Sequence, residues 1–174
     1  MDYVSGEELL ARYAAGERDF TGLKLDVCDD TFFSGVDLSG ANFTGAELSG
    51  NSFIGTNFTG AIFEEAELIS CELISANLTG ANLRGVTIES ADLTGANLNG
   101  ADLTGARGGE INFDDVSAIG TNFTGAQLWY SDFFNANLTG ANFTNIVASV
   151  DFKKAICCNT IMPDGSIRTD ISPS

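Results

Sequence analysis

Large apolar residues recur every five positions through most of this chain. They run in register from Phe33 to Leu103 and, after an interruption, from Phe113 to Phe143. Two positions before most of them lies a small residue, usually alanine, and the residue between is usually Asn, Asp or Glu. Since side chains two positions apart share one face of an extended segment, each repeat predicts a short strand with two side chains inward and one outward.

The last two residues of each repeat are mostly Ser or Thr followed by Gly, a composition typical of tight corners. The segments 76–80 and 91–95 show the unit plainly, as Ala-Asn-Leu-Thr-Gly and Ala-Asp-Leu-Thr-Gly. A short strand followed by a corner cannot bury its inward side chains alone. The pattern therefore predicts a coil that stacks on copies of itself, which is a solenoid.

These motifs resemble those of the pentapeptide repeat proteins, with likeness to cyanobacterial members, whose unit is roughly A-(D/N)-L-x-x. The resemblance implies an all-β fold, a right-handed quadrilateral β-helix with four repeats per coil and, here, about six to seven coils. Residues twenty apart then share a column, and two opposing columns begin with Phe33 and Phe43 and read Phe, Phe, Leu, Leu, Phe, Phe. We interpret this order as stacking in a narrow core, with drift after repeat duplication as the alternative.

Both ends of such a rod need caps, because they would otherwise expose core and strand edges. We assign residues 1–18 to an N-terminal cap with a helix, 19–157 to the β-helix, and 158–174 to a C-terminal cap and tail. Ser5-Gly6-Glu7-Glu8 has the form of a capping box and is followed by apolar residues at helical spacing, which predicts a helix over 5–15.

Three irregularities interrupt the repeat. The eight-residue step from Leu25 to Phe33 predicts a bend between Cys28 and Asp30. A register slip is expected near Phe143, after which Val147, Phe152 and Cys157 resume the spacing of five.

The third irregularity puts Gly108 and Ala118 at opposing inward positions of one coil, while the small positions hold Ile111 and Val116. This exchange of volume favours a repacked coil. The run 107–110 is interpreted as tolerated degeneration of the repeat, with an outward bulge that carries a binding determinant as the alternative.

Composition argues against catalysis. The chain has no histidine, and its serines and threonines follow the corners rather than any nucleophile–base spacing. We predict no enzyme activity and no cofactor. Glu64-Glu65 and Asp114-Asp115 are weak candidates for a cation such as calcium. Cys71 is expected in the core, and adjacent Cys157 and Cys158 are expected to be reduced thiols.

The chain carries 24 acidic and 8 basic residues, a net charge of −16. The twenty-residue period places acids on two adjoining sides, which are candidate sites for a basic protein partner, with solubility as the alternative role. One side has Glu72, Asp92, Asp114, Asp115 and Asp132, and the adjoining side has Glu47, Glu67 and Glu89. Another side stacks Asn57, Asn77, Asn97 and Asn137, which we expect to share hydrogen bonds between coils.

Three aromatic residues, Trp129, Tyr130 and Phe134, fall at outward or corner positions near the C-terminal end of the repeats. Exposed aromatic side chains in a cluster indicate a protein interface. The alternative is that residues 150–170 fold over them.

We therefore expect a non-enzymatic acidic solenoid that acts as a protein-interaction or scaffold module in the cytoplasm, with no direct nucleic-acid binding and no membrane association. The resemblance implies an alternative, because some pentapeptide repeat proteins protect DNA gyrase by mimicking duplex DNA in shape and charge. Those members dimerise through C-terminal elements. A homodimer through a terminal region is thus an expectation, although no equivalent dimerisation helix is evident in the sequence.

Overall fold

The computed structural model describes residues 3–27 and 31–169. Through the repeats, parallel bridges join outward residues that lie twenty positions apart, as in Asp37–Asn57, Asn57–Asn77 and Asn77–Asn97. Each strand is so short that it forms one rung of such a ladder: Leu78 N–H donates to the carbonyl of Asn97 at 2.7 Å. Four ladders run side by side, so the chain winds as a four-sided coil with the spacing that the sequence predicts.

Few elements are longer than one rung. The helix α1 spans Gly6–Ala14, and strands β1 (Arg107–Gly109), β2 (Gln127–Asp132) and β3 (Val147–Asp151) form a parallel sheet in the order β1-β2-β3. Strands β4 (Thr160–Ile161) and β5 (Ile167–Arg168) form an antiparallel pair at the C-terminal end. No helix within the described residues is long and apolar enough to cross a membrane.

The corners explain why Asn or Asp precedes Leu and Thr follows it. The Asn77 side-chain oxygen accepts hydrogen bonds from the Thr79 N–H at 3.1 Å and from the Thr79 hydroxyl at 2.6 Å. This local turn competes with extended backbone and bends the chain after each strand. The amide nitrogens of Asn57 and Asn77 then donate to Asp37 and Thr59 of the preceding coil, both at 2.9 Å. The expected sharing of hydrogen bonds between coils is confirmed at these two residues.

The inward phenylalanines stack in the columns that the sequence predicts. The rings of Phe113 and Phe133 lie 4.5 Å apart and within 4° of parallel, and those of Phe123 and Phe143 lie 4.6 Å apart and within 5°. The two columns meet edge to face, since Phe113 and Phe123 are 6.1 Å apart at 87°. Each ring thus packs against the coil below and against the opposing wall.

Helix α1 covers the N-terminal end of the core. Ser5 is the N-cap, and its side-chain oxygen accepts a hydrogen bond from the Glu8 N–H. Leu9 is buried, and Phe20 stacks on Phe43 at 5.4 Å. Asp19 bridges to Asn42, a separation of 23 residues, so the first coil contains extra chain. The bend expected between Cys28 and Asp30 lies outside the described residues.

The register slip lies later than the sequence analysis places it. Leu128 pairs with Ala148 at a spacing of twenty, but Ser131 pairs with Val150 at nineteen, so strand β3 is one residue short opposite β2. Val147 is consequently 55% exposed rather than inward, and its assignment to the core repeat is wrong. Phe152 packs against the core beside Phe133.

The run 107–110 does not bulge outward. Strand β1 pairs in register with β2, and the carbonyl of Arg107 accepts a hydrogen bond from the Ile88 N–H of the coil below at 2.9 Å. A Cβ atom added at Gly108 would lie 2.8 Å from the Glu89 nitrogen. Glycine is therefore required here by close contact between coils. Ile111 and Val116 are both buried, as the repacked coil predicts.

Cys71 and Cys158 are free thiols. Cys71 is buried at an inward position, as expected, and burial raises the pKa of its thiol to about 12. Cys157 is buried and Cys158 is half-buried.

Candidate interaction site

One side of the coil carries a column of acids. Parallel bridges connect Glu72 to Asp92, Asp92 to Asn112 and Asn112 to Asp132, and Asp132 pairs with Asp151 in the β2–β3 ladder. We call this column the acidic face. Neighbouring strands of a sheet lie about 4.8 Å apart, so these carboxylates are held at close intervals by the backbone rather than by any counter-charge.

Three adjoining shallow depressions lie along the C-terminal half of the acidic face and the corner beside it. Their volumes are about 280, 260 and 370 Å³. The first two share Glu110 and Tyr130, and the second and third share Asp114 and Asp132. We call the continuous surface the acidic groove; its lining consists of Glu89, Gly109, Glu110, Ile111, Asn112, Asp114, Trp129, Tyr130, Asp132, Phe134 and Asp151.

The charged residues that line the groove are all acidic, and one basic group, the Lys154 ammonium, lies at its edge, 4.8 Å from the centre of the Phe134 ring. Five of the described lining residues are carboxylates, and none is Lys or Arg. Among residues 3–27 and 31–169, ion pairs join Arg12 to Glu8 and Glu17, Lys24 to Glu47, and Arg84 to Asp102, and none involves a groove residue. The groove carboxylates therefore create a local negative potential that a cationic ligand would neutralise.

Asp114 shows the electrostatic effect of this arrangement. Burial raises the pKa of its carboxyl above the ordinary value of 3.8. A hydrogen bond from the Phe134 N–H, at 3.1 Å, opposes that shift, while the charges of Asp132, Asp115 and Asp92 add to it. Asp114 is thus less stable as a carboxylate in the folded chain than in the unfolded one.

The substitution Asp114→Asn should stabilise the fold at neutral pH. Because the folded-state pKa of Asp114 is raised, its favourable contribution is present below pH 3.8 and is lost as pH rises through the folded-state pKa. Asparagine keeps an acceptor for the Phe134 N–H and carries no charge at any pH. We expect the melting temperature, followed by circular dichroism, to rise by on the order of 2 °C at pH 7 and to match the unsubstituted chain at pH 3.

Asp102→Asn is the matched control, with the opposite sign. Burial opposes ionisation of Asp102, but hydrogen bonds from Thr104 and Arg84 outweigh it and lower the pKa of its carboxyl. This variant should lose stability at pH 7, and the loss should disappear as the pH falls below 3.8. Equal behaviour of the two variants would contradict the assignment for Asp114.

The three aromatic residues remain exposed. Trp129, Tyr130 and Phe134 are 41%, 76% and 38% exposed. Strand β3 pairs with β2 as the next rung of the sheet and does not cover the aromatic side chains. Further along the chain, the Lys154 ammonium lies 4.8 Å from the centre of the Phe134 ring. The alternative that residues 150–170 fold over the aromatic cluster is therefore wrong for Trp129 and Tyr130.

The structure divides the predicted site residues. Glu89, Asp114, Asp132 and the three aromatic residues line the groove, while Glu72 and Asp92 lie below it on the acidic face and the Asp115 carboxylate accepts a hydrogen bond from Asn135. Glu47 and Glu67 line a separate depression towards the N-terminal end, where Lys24 pairs with Glu47.

Two of the five groove carboxylates, Glu110 and Asp151, are not among the predicted site residues, although Glu110 falls in the run 107–110 that the sequence analysis considers as a binding determinant. Glu110 lies in the same corner column as Tyr130, twenty positions earlier, and that spacing could have revealed it. Asp151 lies nineteen residues after Asp132, so it joins the acidic face only through the shortened last coil. The position of Phe152 at an inward site was the available signal for it.

The two acidic pairs considered for calcium are arranged differently from a metal site. Within the described part of the chain, no group of three or more His, Cys, Asp or Glu residues could hold a metal ion. The Asp114 oxygen instead accepts from the Phe134 N–H, and the Asp115 oxygen accepts from the Asn135 amide at 2.5 Å.

A family model described as pentapeptide repeats matches residues 33–68, 71–107 and 111–147 in eight copies. No curated protein sequence matches the chain. A similar solved structure is a pentapeptide repeat protein from the thylakoid lumen of Arabidopsis thaliana, with 29% identity, a TM-score of 0.44, and coverage of 68% of this chain and 72% of that chain.

Two further solved structures extend the comparison. The pentapeptide repeat protein Rfr23 from the cyanobacterium Cyanothece 51142 is 21% identical with a TM-score of 0.48, over 84% of this chain and 95% of that chain. QnrB1, a plasmid-mediated fluoroquinolone resistance protein, is 23% identical with a TM-score of 0.32, over 78% of this chain and 82% of that chain.

Proposed function

The chain belongs to the pentapeptide repeat family, whose fold is a right-handed β-helix, and we propose that it is a non-enzymatic interaction module for a protein with a basic surface. The observation that carries this proposal is the acidic groove, in which five carboxylates that form no ion pair within the described residues lie beside three exposed aromatic side chains. Acids that serve solubility alone do not require exposed aromatic residues among them.

The two kinds of side chain contribute differently to association. Fixed negative charge attracts a basic partner and accelerates encounter, while exposed aromatic surface supplies area that loses water on binding. The backbone ladders fix the Cα positions of both sets, so only the side chains need to become ordered when a partner docks. These properties favour a protein ligand that is basic and partly apolar.

Charge reversal in the groove should strongly weaken binding of such a ligand. We expect the double variant Glu110→Lys, Asp132→Lys to bind a synthetic peptide of alternating basic and apolar residues about a hundredfold more weakly in low salt. The reason is that two attractions between groove and peptide become repulsions. Isothermal titration calorimetry measures the dissociation constant directly. The chain without substitutions should bind the peptide, and absence of binding would sink the proposal.

The control is the double variant Glu64→Lys and Glu65→Lys. It changes the net charge by the same amount, and Glu65, like Glu110, has a left-handed backbone, with φ of 57° and 56° respectively. Neither control residue lines the groove. An equal loss in the two double variants would mean that net charge alone attracts the peptide.

A second candidate function is mimicry of duplex DNA towards a DNA-binding enzyme. It is favoured by the column of charge formed by Glu72, Asp92, Asp132 and Asp151, interrupted only by Asn112, on a chain of net charge −16. A gyrase supercoiling assay separates it from the first candidate: inhibition or protection across micromolar protein would support mimicry, and unchanged supercoiling would exclude it for that enzyme.

A further inference from the structure

The end of the groove at Trp129 and Tyr130 differs from the equivalent corner of other coils. The corner column holds Gly50, Ser70 and Ser90 at the positions that become Glu110 and Tyr130. Tyr130 has a φ of 55°, in the left-handed region that bulky residues rarely adopt. Its side chain projects into solvent and is 76% exposed. A large aromatic residue therefore occupies a corner where a small one suffices for the turn.

Gly109, in the coil below Trp129, leaves space beside the tryptophan side chain. A Cβ atom at Gly109 would lie 3.2 Å from the Trp129 carbonyl oxygen and 3.7 Å from its Cβ atom. With hydrogen in that place, a cleft of about 280 Å³ opens, lined by Glu89, Gly109, Glu110, Trp129 and Tyr130. The cleft combines two aromatic side chains with two carboxylates, and its described lining contains no positive charge.

This combination selects for a planar cation. A guanidinium stacks on an aromatic face and pairs with a carboxylate through a fixed fork of donors, whereas an ammonium is more strongly hydrated and gains less from the aromatic face. Aromatic residues also stack on nucleic-acid bases, but the surrounding carboxylates repel the phosphates that accompany them. A second copy of this chain is disfavoured because each copy has a net charge of −16.

We propose that the cleft between Trp129 and Tyr130 is the docking site for an arginine side chain on an extended basic segment of the partner protein. The inference rests on the proposed function and adds a preferred residue and its position. The guanidinium lies against the aromatic side chains and pairs with Glu89 or Glu110, and neighbouring basic residues of the segment follow the groove towards Asp114 and Asp132.

Trp129 is the only tryptophan in the chain, so its fluorescence reports on this cleft alone. The test titrates two peptides that differ only in carrying arginine or lysine at the same positions. We expect the arginine peptide to change Trp129 emission and to bind about fivefold more tightly than the lysine peptide. Tyr130→Gly should remove that preference without harm to the fold, because glycine occupies most other corners.

Ile119→Ala is the control, since Ile119 is another exposed large apolar residue and lies outside the groove lining. It should leave both peptides unaffected. Equal affinities for arginine and lysine, unchanged by Tyr130→Gly, would overturn the inference while the proposed function stands, provided that charge reversal at Glu110 and Asp132 still strongly weakens binding. Absence of binding by both peptides would overturn both, and binding of a single-stranded oligonucleotide at Trp129 would overturn the choice of occupant.

Discussion

Phe133→Ala is expected to cause the largest loss of stability among single core substitutions, about 3–5 kcal/mol. The ring of Phe133 contacts those of Phe113, Phe123, Phe143 and Phe152, at centroid distances from 4.5 to 5.8 Å. The coils above and below are held by backbone ladders, so the cavity cannot collapse without breaking hydrogen bonds. Urea unfolding followed by circular dichroism measures the change.

The adjacent substitution Phe134→Ala provides the comparison. It removes the same side chain from a residue that is 38% exposed and that contacts Lys154 rather than the core rings. We expect a loss of less than about 1 kcal/mol. Similar losses for the two variants would contradict the stacked core. Because coils of a solenoid interact mainly with their neighbours, hydrogen exchange should also locate the loss in the C-terminal coils.

Gly108→Ala is the second large effect that we expect, at about 2–3 kcal/mol. The added Cβ atom would lie 2.8 Å from the Glu89 nitrogen and 3.0 Å from the Ile88 carbonyl carbon, both backbone atoms that cannot rotate away. Relief requires separation of the two coils, which lengthens the hydrogen bonds from Ile88 N–H to Arg107 and from Ser90 N–H to Gly109.

Gly105→Ala separates this contact effect from glycine's conformational freedom. A Cβ atom at Gly105 meets nothing within 4 Å, but its φ of +68° is unfavourable for alanine. That substitution should cost about 1 kcal/mol, from backbone strain alone. Gly108→Ala should in addition shift Trp129 emission, since strand β1 lies beside Trp129 in the sheet. An equal cost at both glycines, with unchanged emission, would contradict the close approach at Gly108.

Periodicity accounts for what the sequence predicts well. The five-residue spacing determines which side chains face inward, and the twenty-residue period identifies the columns, so the stacking of Phe113 on Phe133 follows from letters alone. The same period gives the acidic face from Glu72 to Asp132. These are properties of a repeating backbone, which constrains every coil in the same way.

The departures from periodicity have local causes that a repeat pattern does not contain. Strand β3 has one residue fewer than β2 between the pairs Leu128–Ala148 and Ser131–Val150, and a bulge in β2 accommodates the difference. This shortening brings Asp151 beside Asp132. The approach of Gly108 to the coil below depends on backbone positions rather than residue type. The shape of the groove depends on how closely Gly109 approaches Trp129 and on where the Tyr130 side chain projects. Neither the repeat spacing nor the composition specifies these positions.

The twenty-residue ladder has a consequence for how chain length can change. Adding one complete turn between α1 and the groove would lengthen the rod and leave both pointing in the same directions. Adding a single five-residue unit would rotate the groove by a quarter revolution relative to α1 and would place phenylalanines over leucines in the core. The orientation of the groove relative to α1 is therefore preserved only when whole turns are gained or lost. Twenty residues is the smallest insertion that leaves this orientation unchanged.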